Sequence, residues 1–261
     1  MRRHQLWRNA QKQHRRIDVQ ELNYPSMRCL VLIPTYNEAE NIARLIPAVL
    51  AASTDLSVLV IDDASPDGTG ALVRGLRGGC ADRLFLLERP GKGGLAGAYL
   101  AGFSWGLARD FDLFLEMDAD FSHDPAYIPM LLAAAEAGND VVIGSRNVPG
   151  GGVAGWSALR NLISKGGSWY SRAVLGCPIR DLTGGFNLWS RRALETMGLA
   201  GIVSRGYSFQ IEMKYRAWRN GLPWVELPIL FTDRTRGQSK MSRAIFMEAL
   251  FKVWRLRFLR Q

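Results

Sequence analysis

The feature that most constrains the fold is a regular alternation of short apolar runs with segments of helical periodicity. The run 29–33 stops at Pro34, and the run 56–61 stops at two aspartates. Both runs are typical of buried parallel strands. Between them, residues 38–52 place apolar side chains at helical spacing, so the three segments together predict a βαβ unit.

The alternation continues to residue 144. Its spacing predicts helices near 67–77, 94–109 and 125–137, and strands near 83–88, 112–117 and 140–144. We therefore predict an α/β fold whose mostly parallel sheet carries helices on both faces. Because ligands of such sheets bind beyond the carboxyl ends of the strands, a functional site is expected there.

The chain divides into a predicted domain at 27–240 and two flanking segments. Residues 1–26 have almost no apolar periodicity and are interpreted as a basic arm, and residues 241–261 as an amphipathic basic helix. The composition, 48% hydrophobic and 22% charged, is that of a globular protein. Three cysteines without CxxC spacing favour reduced thiols, and no run reaches the roughly 18 apolar residues of a membrane span.

Acidic and polar residues follow three of the predicted strands, at 35–38, 62–63 and 118–120. A single Asn, Asp or Ser at such a place can cap the next helix. Several carboxylates at one edge of a sheet repel one another, and a divalent cation relieves that repulsion. The pattern therefore favours a Mg²⁺ or Mn²⁺ site that bridges phosphates.

Eight segments resemble, in the same order, the family-two glycosyltransferases with a GT-A fold, and among them the dolichol-phosphate or polyprenol-phosphate mannose synthases. The resemblance implies a Rossmann-like domain and an inverting transfer of mannose from GDP-mannose to a polyprenyl monophosphate, with GDP released. The segments are VLIPTYNEAENI (31–42), VLVIDDASPDGTG (58–70), GKGGLAGAY (91–99), EMDADFSHDP (116–125), VVIGSRNVPGG (141–151), RNLISKG (160–166), DLTGGF (181–186) and DRTRGQSK (233–240).

The resemblance assigns a DxD motif, Asp118 and Asp120, to the metal and the sugar nucleotide, with Ala119 packed beside the nucleotide pocket. Some members of the family have Gln as a further metal contact where this chain has Ser122, whose side chain is shorter. The implied nucleotide pocket is lined by residues that follow or end the first two strands: Pro34, Tyr36, Glu38, Ile61 and Asp63.

The resemblance further implies that Arg234 and Lys240 contact the donor pyrophosphate and act in catalysis together with Asp120. Both lie in a Gly-containing segment without apolar periodicity, which predicts a loop. Positive charge there would stabilise the leaving phosphate. A polyprenyl monophosphate is already ionised near neutral pH, so the reaction needs no catalytic histidine, and His123 is interpreted as a residue at a helix start.

The acceptor phosphate is implied to contact Arg146, Arg160 and Ser164. Arg160 and Ser164 lie four residues apart, on one face of a helix predicted to begin near Leu159. Large apolar residues follow on the same helix and fit either a membrane-facing surface or a core: Leu162, Ile163, Trp169, Tyr170 and Val174.

Two other functions are compatible with parts of the sequence. A sibling lipid glycosyltransferase with UDP-glucose or another donor would use the same framework. Many such siblings end in transmembrane pairs, and the absence of one in this sequence favours mannose. A non-catalytic basic module is the second alternative, but aromatic and basic residues do not interleave in a nucleic-acid-binding motif, so no nucleic-acid partner is expected.

The net charge of +9 belongs to the ends of the chain. Residues 1–28 and 234–261 hold 15 of the 33 Lys and Arg residues but only three of the 24 acidic residues. This distribution favours a peripheral enzyme on the cytoplasmic face of an anionic membrane. The terminal helix is expected to dock on the core, the membrane or an integral membrane partner, with Lys252 and Arg255 opposite an apolar face of Phe246, Met247, Leu250, Phe251, Trp254 and Phe258.

Overall fold

The computed structural model describes residues 27–80, 82–204, 206–233 and 252–258. The basic arm predicted at 1–26 and most of the helix predicted at 241–261 lie outside the described residues, as do Arg234 and Lys240.

The described elements alternate as the sequence predicts through β5. The strands are β1 (Cys29–Thr35), β2 (Leu56–Asp62), β3 (Leu84–Glu88), β4 (Leu113–Glu116), β5 (Val141–Ser145), β6 (Gly152–Ala154), β7 (Asn187–Ser190), β8 (Trp224–Pro228) and β9 (Leu230–Thr232). The helices are α1 (Ala39–Ala52), α2 (Thr69–Leu76), α3 (Gly94–Leu107), α4 (Ile128–Glu136), α5 (Ala158–Leu175), α6 (Arg191–Met197) and α7 (Tyr207–Arg219).

Seven strands form one sheet in the order β3-β2-β1-β4-β7-β5-β8. Neighbouring strands of this sheet are parallel, except that β7 runs antiparallel to both β4 and β5. A separate parallel pair joins β6 to β9. The predicted mostly parallel α/β sheet is confirmed, and the carboxyl ends of β1, β2 and β4 meet at one edge.

Side chains alternate across the sheet, and both faces are buried. On β1, Val31 and Ile33 pack in a core cluster with Ile42 of α1, whereas Leu30 and Leu32 belong to the cluster on the opposite face. A strand buried on both faces reads as a continuous apolar run, which is why the period-two pattern of half-buried strands is missing from 29–33.

Two glycines allow α3 to lie close to the sheet. A Cβ at Gly106 would lie 2.5 Å from Cε1 of Phe114, and a Cβ at Gly102 would lie 2.8 Å from Cδ1 of Ile61. Any larger residue would force the helix away from the core, because closely packed interiors tolerate extra atoms poorly.

Helix α5 has local signals at both ends. The Ser157 hydroxyl oxygen accepts a hydrogen bond from the Arg160 N–H, which caps the first turn. Gly176 ends the helix in the left-handed region, with φ of +67°. Among the helices of the described residues, none is both long enough and apolar enough to cross a membrane.

A helical segment at 252–258 packs beside the end of α5. Val253 and Leu256 are buried in the core, and the Arg257 guanidinium donates a hydrogen bond to the Val174 carbonyl. Trp254 and Phe258 face outward, with 48% and 73% of their surfaces exposed. The segment therefore docks on the core through residues that lie outside the predicted aromatic face.

Candidate active site

Three loops at the carboxyl edge of the sheet contain strained backbone. Asn37 follows β1, Ala64 follows β2 and Phe121 follows β4, with φ values of +61°, +55° and +60°. These are the non-glycine residues with positive φ in the part of the chain that the structure describes. The left-handed conformation costs a residue with a Cβ about 1–2 kcal/mol, and such strain is concentrated at functional sites.

Two hydroxyl groups donate hydrogen bonds to Asp62 at the end of β2. Its Oδ1 accepts hydrogen bonds from the Thr35 hydroxyl at 2.8 Å and the Ser65 hydroxyl at 2.6 Å. Asp67 in the same loop accepts from the Ala39 N–H at 3.0 Å and so satisfies the start of α1. These carboxylates fix the loops and match the capping interpretation.

Asp63 holds the loop before α3. Its Oδ1 lies 2.9 Å from Nη1 of Arg89, and its Oδ2 accepts from the Gly93 N–H at 2.9 Å. Arg89 was not predicted as part of the site, and nothing in its local sequence signals a contact with Asp63.

The clustering of Asp62 and Asp63 with the DxD carboxylates around a metal stays a prediction. The contacts of these two side chains in the structure are with hydroxyl groups, a guanidinium and backbone N–H groups. No group of three or more His, Cys, Asp or Glu residues suited to a metal occurs in the described ranges.

The remaining residues of the predicted nucleotide pocket lie at or after the ends of β1 and β2. Pro34 pairs in register with Ile61, which is fully buried. Tyr36 is partly exposed, and Nζ of Lys92 lies 4.3 Å from its ring centre. Glu38 accepts a hydrogen bond from the Asn41 amide at 3.0 Å. Lys92 is a further cation at this edge, and the GKGG segment was its only sequence signal.

The DxD segment leaves β4 and turns sharply. Asp118 is partly exposed, and its backbone N–H donates to Nδ1 of His123 at 3.1 Å. Ala119 and Asp120 are buried, and Asp120 Oδ1 accepts from the Ser122 N–H at 3.0 Å. Within the described chain, the buried Ser122 Oγ has no hydrogen-bond partner.

The oxygen atoms of this segment fit a hard divalent cation. Five consecutive residues supply two carboxylates, Asp118 and Asp120, and the Ser122 hydroxyl, which has no hydrogen-bond partner among the described residues. Mg²⁺ takes a few protein oxygens and completes its octahedral shell with water and substrate phosphates, so a larger protein cluster is not needed.

His123 is a structural residue of the DxD loop. Its ring stacks on Phe186 at 4.8 Å between centres and meets the edge of Phe231 at 5.3 Å. Burial lowers the pKa of His123 to about 3, so the ring is neutral, and its Nδ1 serves as the acceptor for Asp118. This geometry agrees with its interpretation as a non-catalytic residue.

Arg146 lies at the end of β5 in a buried ion pair with Asp181. Its Nε and Nη2 donate to the two carboxylate oxygens at 2.8 and 2.7 Å, and Nη2 also donates to Thr183 at 2.9 Å. Burial raises the pKa of Asp181, but the Arg146 charge outweighs it and holds that pKa well below its ordinary value.

A lysine of α7 holds the loop that contains Asp181 and Gly184. Lys214 Nζ donates to the carbonyls of Asp181 and Gly184 at 2.8 and 2.7 Å, and burial lowers the pKa of Lys214. Asp181 lies in the DLTGGF segment, and the family resemblance predicts no role for this aspartate. Its partner Arg146 is 35 residues away in sequence.

Arg160 and Ser164 lie on α5 as predicted, but in different surroundings. Arg160 pairs with Asp233 at 2.8 Å and stacks 4.2 Å from the centre of the Trp156 ring. Ser164 lines a cavity of about 200 Å³ together with Arg146. The structure thus brings two of the three predicted acceptor residues, Arg146 and Ser164, to one cavity. The third, Arg160, stacks on Trp156, and Cζ of Arg146 lies 5.7 Å from the centre of the same ring.

Strand β9 connects the DxD loop to the acceptor side. The Thr232 N–H donates to the Ser122 carbonyl at 3.3 Å, and the Asp233 N–H donates to the Ala154 carbonyl of β6 at 2.9 Å. Asp233 therefore lies beside the predicted site, whereas Arg234 and Lys240 lie outside the described residues.

Comparison with known proteins adds a family and a fold. Residues 30–198 match the sequence profile described as Glycosyl transferase family 2. Polyprenol monophosphomannose synthase from Mycolicibacterium smegmatis is 48% identical over 235 residues, covering 89% of this chain and 89% of that protein. Undecaprenyl-phosphate mannosyltransferase from Micrococcus luteus is 45% identical over 229 residues, covering 88% of this chain and 93% of that protein.

Solved structures share the fold at low sequence identity. Glucosyl-3-phosphoglycerate synthase from Mycobacterium tuberculosis, in complex with phosphoglyceric acid, superposes with a TM-score of 0.66 at 17% identity, over 90% of this chain and 81% of that one. The same enzyme solved with Mn²⁺, uridine diphosphate and phosphoglyceric acid superposes with a TM-score of 0.65 at 16% identity. The match covers 90% of this chain and 80% of that one. These likenesses confirm the predicted GT-A-like fold.

Proposed function

Because this chain belongs to glycosyl transferase family 2, it is a glycosyltransferase, and we propose that it transfers mannose from GDP-mannose to a polyprenyl monophosphate. The products are a β-linked polyprenyl-phosphate mannose and GDP. The observation that carries this proposal is the identity of 48% and 45% to two lipid-phosphate mannosyltransferases over nearly their whole length.

On the donor side, Asp118, Asp120 and Ser122 would hold Mg²⁺ or Mn²⁺. The bound cation supplies positive charge to the donor pyrophosphate and its leaving group. Two observations support this assignment: the Ser122 hydroxyl has no hydrogen-bond partner among the described residues, and a structural neighbour was solved with Mn²⁺. Arg234 and Lys240, which lie outside the described residues, are proposed to add positive charge at the same phosphates.

The nucleotide is proposed to lie at the ends of β1 and β2. Tyr36 offers an aromatic surface, and Asp63, held by Arg89 and Gly93, offers a fixed carboxylate to the base. Pro34, Glu38, Ile61 and Ala119 shape the surrounding pocket.

On the acceptor side, Arg146, Arg160 and Ser164 orient the lipid phosphate for attack on the anomeric carbon. The phosphate oxygen is the nucleophile and is ionised near neutral pH, so no side chain has to remove its proton. The difficulty of the reaction is the approach of two anions, and the fixed Arg146 guanidinium offsets part of that repulsion.

The enzyme is further proposed to work as a peripheral protein on the cytoplasmic face of a membrane. Exposed apolar side chains on α5 and at 252–258 support this location, since Leu162 and Trp169 are each 69% exposed and Phe258 is 73% exposed. The same surface could alternatively dock on an integral membrane partner.

A donor panel tests the proposed reaction. The full chain is incubated with a polyprenyl monophosphate, Mg²⁺ and one labelled donor at a time, namely GDP-mannose, UDP-glucose or UDP-mannose, and the label extracted into organic solvent is measured. We expect transfer from GDP-mannose. Transfer from a UDP-sugar alone would overturn the assignment of the donor, and omission of the lipid is the blank.

A further inference from the structure

A second cavity, of about 380 Å³, opens beside the acceptor cavity and is bounded by one face of α5. Lys165, Ser168, Trp169 and Arg172 are spaced three and four residues apart, so they line the same side of the helix. The opposite wall includes Asn147, whose amide donates to the Ser168 hydroxyl at 3.4 Å and to the Arg180 carbonyl at 3.3 Å. This wall is thus tied to α5 and to the loop that follows it.

The charge of this cavity is uncompensated. Lys165, Arg172 and Arg180 line it, and no carboxylate of the described residues does. None of these three side chains forms an ion pair with another described residue. Nε of Arg172 is buried and meets no acceptor among those residues. Arg146 also lines the cavity, but its charge is balanced by Asp181.

Helix α5 also has exposed apolar side chains next to the residues that line the cavity. Leu162 and Trp169 lie seven residues apart on α5 and are each 69% exposed, and Leu159 is 67% exposed. Lys165 and Arg172 border this apolar strip along the helix. A helix with exposed Trp and Leu beside Lys and Arg is suited to the boundary between lipid headgroups and acyl chains.

We propose that the cavity lined by Lys165, Arg172 and Arg180 is a second phosphate subsite, which binds the phosphate of a membrane lipid whose chain lies along Leu162 and Trp169. The three cations bind the phosphate oxygens, and the apolar strip contacts the lipid chain. The cavity shares Arg146, Asn147 and Lys165 with the smaller acceptor cavity, so the bound phosphate lies next to the proposed site of reaction.

The lipid phosphate has two sources, the headgroup of a bulk anionic phospholipid and the polyprenyl acceptor itself. The inference rests on the proposed function only for the second source. Vesicle binding and sugar transfer are separate measurements, so loss of the subsite and loss of the proposed activity can be told apart.

The test is vesicle flotation of the full chain and of a double variant, Arg172→Gln with Arg180→Gln. The vesicles are phosphatidylcholine alone, phosphatidylcholine with phosphatidylglycerol, and phosphatidylcholine with a polyprenyl monophosphate. A control variant, Arg77→Gln with Arg219→Gln, removes the same charge from exposed positions outside the cavity. We expect the double variant to lose roughly tenfold or more in its ratio of bound to free protein on at least one anionic vesicle, with the control near the wild type.

The pattern of loss identifies the lipid. A loss on phosphatidylglycerol vesicles assigns the subsite to bulk phospholipid, a loss on polyprenyl phosphate vesicles assigns it to the acceptor, and a loss on both assigns it to either phosphate. Equal binding by the double variant and the wild type, or an equal loss in the control, overturns the proposal.

Lys165→Gln and Arg172→Lys keep the test independent of folding. Lys165 is exposed, so its substitution leaves the core intact and should weaken binding severalfold. Arg172→Lys retains the charge and should restore much of the binding lost in Arg172→Gln. Failure of both expectations in variants with wild-type unfolding curves also rejects the subsite.

Discussion

The guanidinium of Arg146 and the carboxylate of Asp181 form a two-point ion pair, with donor–acceptor distances of 2.8 and 2.7 Å, inside the acceptor half of the molecule. The pair fixes Arg146, which lines both cavities together with Lys165, beside the cavity that contains Ser164. Arg146 is thus oriented before any phosphate binds, and a preorganised charge stabilises an anion without reorganisation during the reaction.

Asp181→Asn should therefore destabilise the protein strongly. Removing one partner of a buried ion pair leaves the other charge uncompensated and typically costs about 3–5 kcal/mol. The free energy of unfolding is measured by urea denaturation, with the exposed Asp110→Asn as the control, expected within about 0.5 kcal/mol of wild type. A loss below about 1 kcal/mol in Asp181→Asn would contradict the role given to the pair.

The same pair predicts a dependence of stability on acid. The pKa of Asp181 is lowered in the folded state, so the folded protein binds fewer protons than the unfolded chain at mildly acidic pH. The stabilisation is present above the unfolded pKa of about 3.9 and is lost as the pH falls toward the folded value. Unfolding curves from pH 6 downward should show this loss in the wild type and a smaller one in Asp181→Asn.

Ala64→Gly should be harmless or stabilising. Ala64 has φ of +55° and is exposed, so glycine relieves backbone strain of about 1–2 kcal/mol and loses about 0.5–1 kcal/mol of that to chain entropy. Ala48→Gly is the control, because Ala48 is exposed inside α1 and glycine there should cost about 1 kcal/mol. Equal losses of unfolding free energy in the two variants would show that residue 64 is not strained.

Asp120→Ala should abolish mannosyl transfer, with a loss of at least about 10²-fold in kcat/KM, because it removes a carboxylate proposed to hold the metal. Mn²⁺ binding measured by calorimetry should weaken in parallel. Asp124→Asn is the control, since Asp124 caps the turn at Pro125–Tyr127 and is exposed. Full activity in Asp120→Ala would reject the metal assignment.

Arg160→Ala should raise the KM for the lipid phosphate more than the KM for the sugar nucleotide. Arg160 is held by Asp233 and by the Trp156 ring on the acceptor side of the molecule. Asp233→Asn is a companion variant that keeps the Arg160 charge but removes its ion pair, and it should cost less. A change confined to the donor KM would move Arg160 out of the acceptor site.

The first half of the fold could be predicted because its signals are local. Strands buried on both faces, such as β1 and β2, give uninterrupted apolar runs, and the helices between them repeat at their own period. Strand β7 gives no such signal, since it is four residues long and pairs antiparallel between β4 and β5. Helix α7 lacks a clear apolar periodicity in the sequence, because polar residues are among those that it buries, namely Gln210, Glu212 and Lys214.

The candidate site was predictable as residue types at one edge of the sheet, but not as contacts. The family resemblance implies Asp120, Arg146 and Ser164, and in the structure Asp120 follows β4 while Arg146 and Ser164 line one cavity. The partners of Asp63 and Arg146 lie 26 and 35 residues away, and their selection depends on tertiary packing. The sequence therefore could not show that Asp62 accepts hydrogen bonds from two hydroxyl groups or that Asp63 pairs with Arg89.

The order of strands in the sheet has a consequence for synthesis of the chain. Strands β1 to β4 pair among themselves except where β4 meets β7, and all four lie within residues 29–116. Strand β5 has no partner until Asn187–Ser190 and Trp224–Pro228 have been made. On the ribosome, strands β1 to β4 can therefore pair first. Strand β5 stays unpaired until late in translation, and an unpaired strand is prone to aggregation.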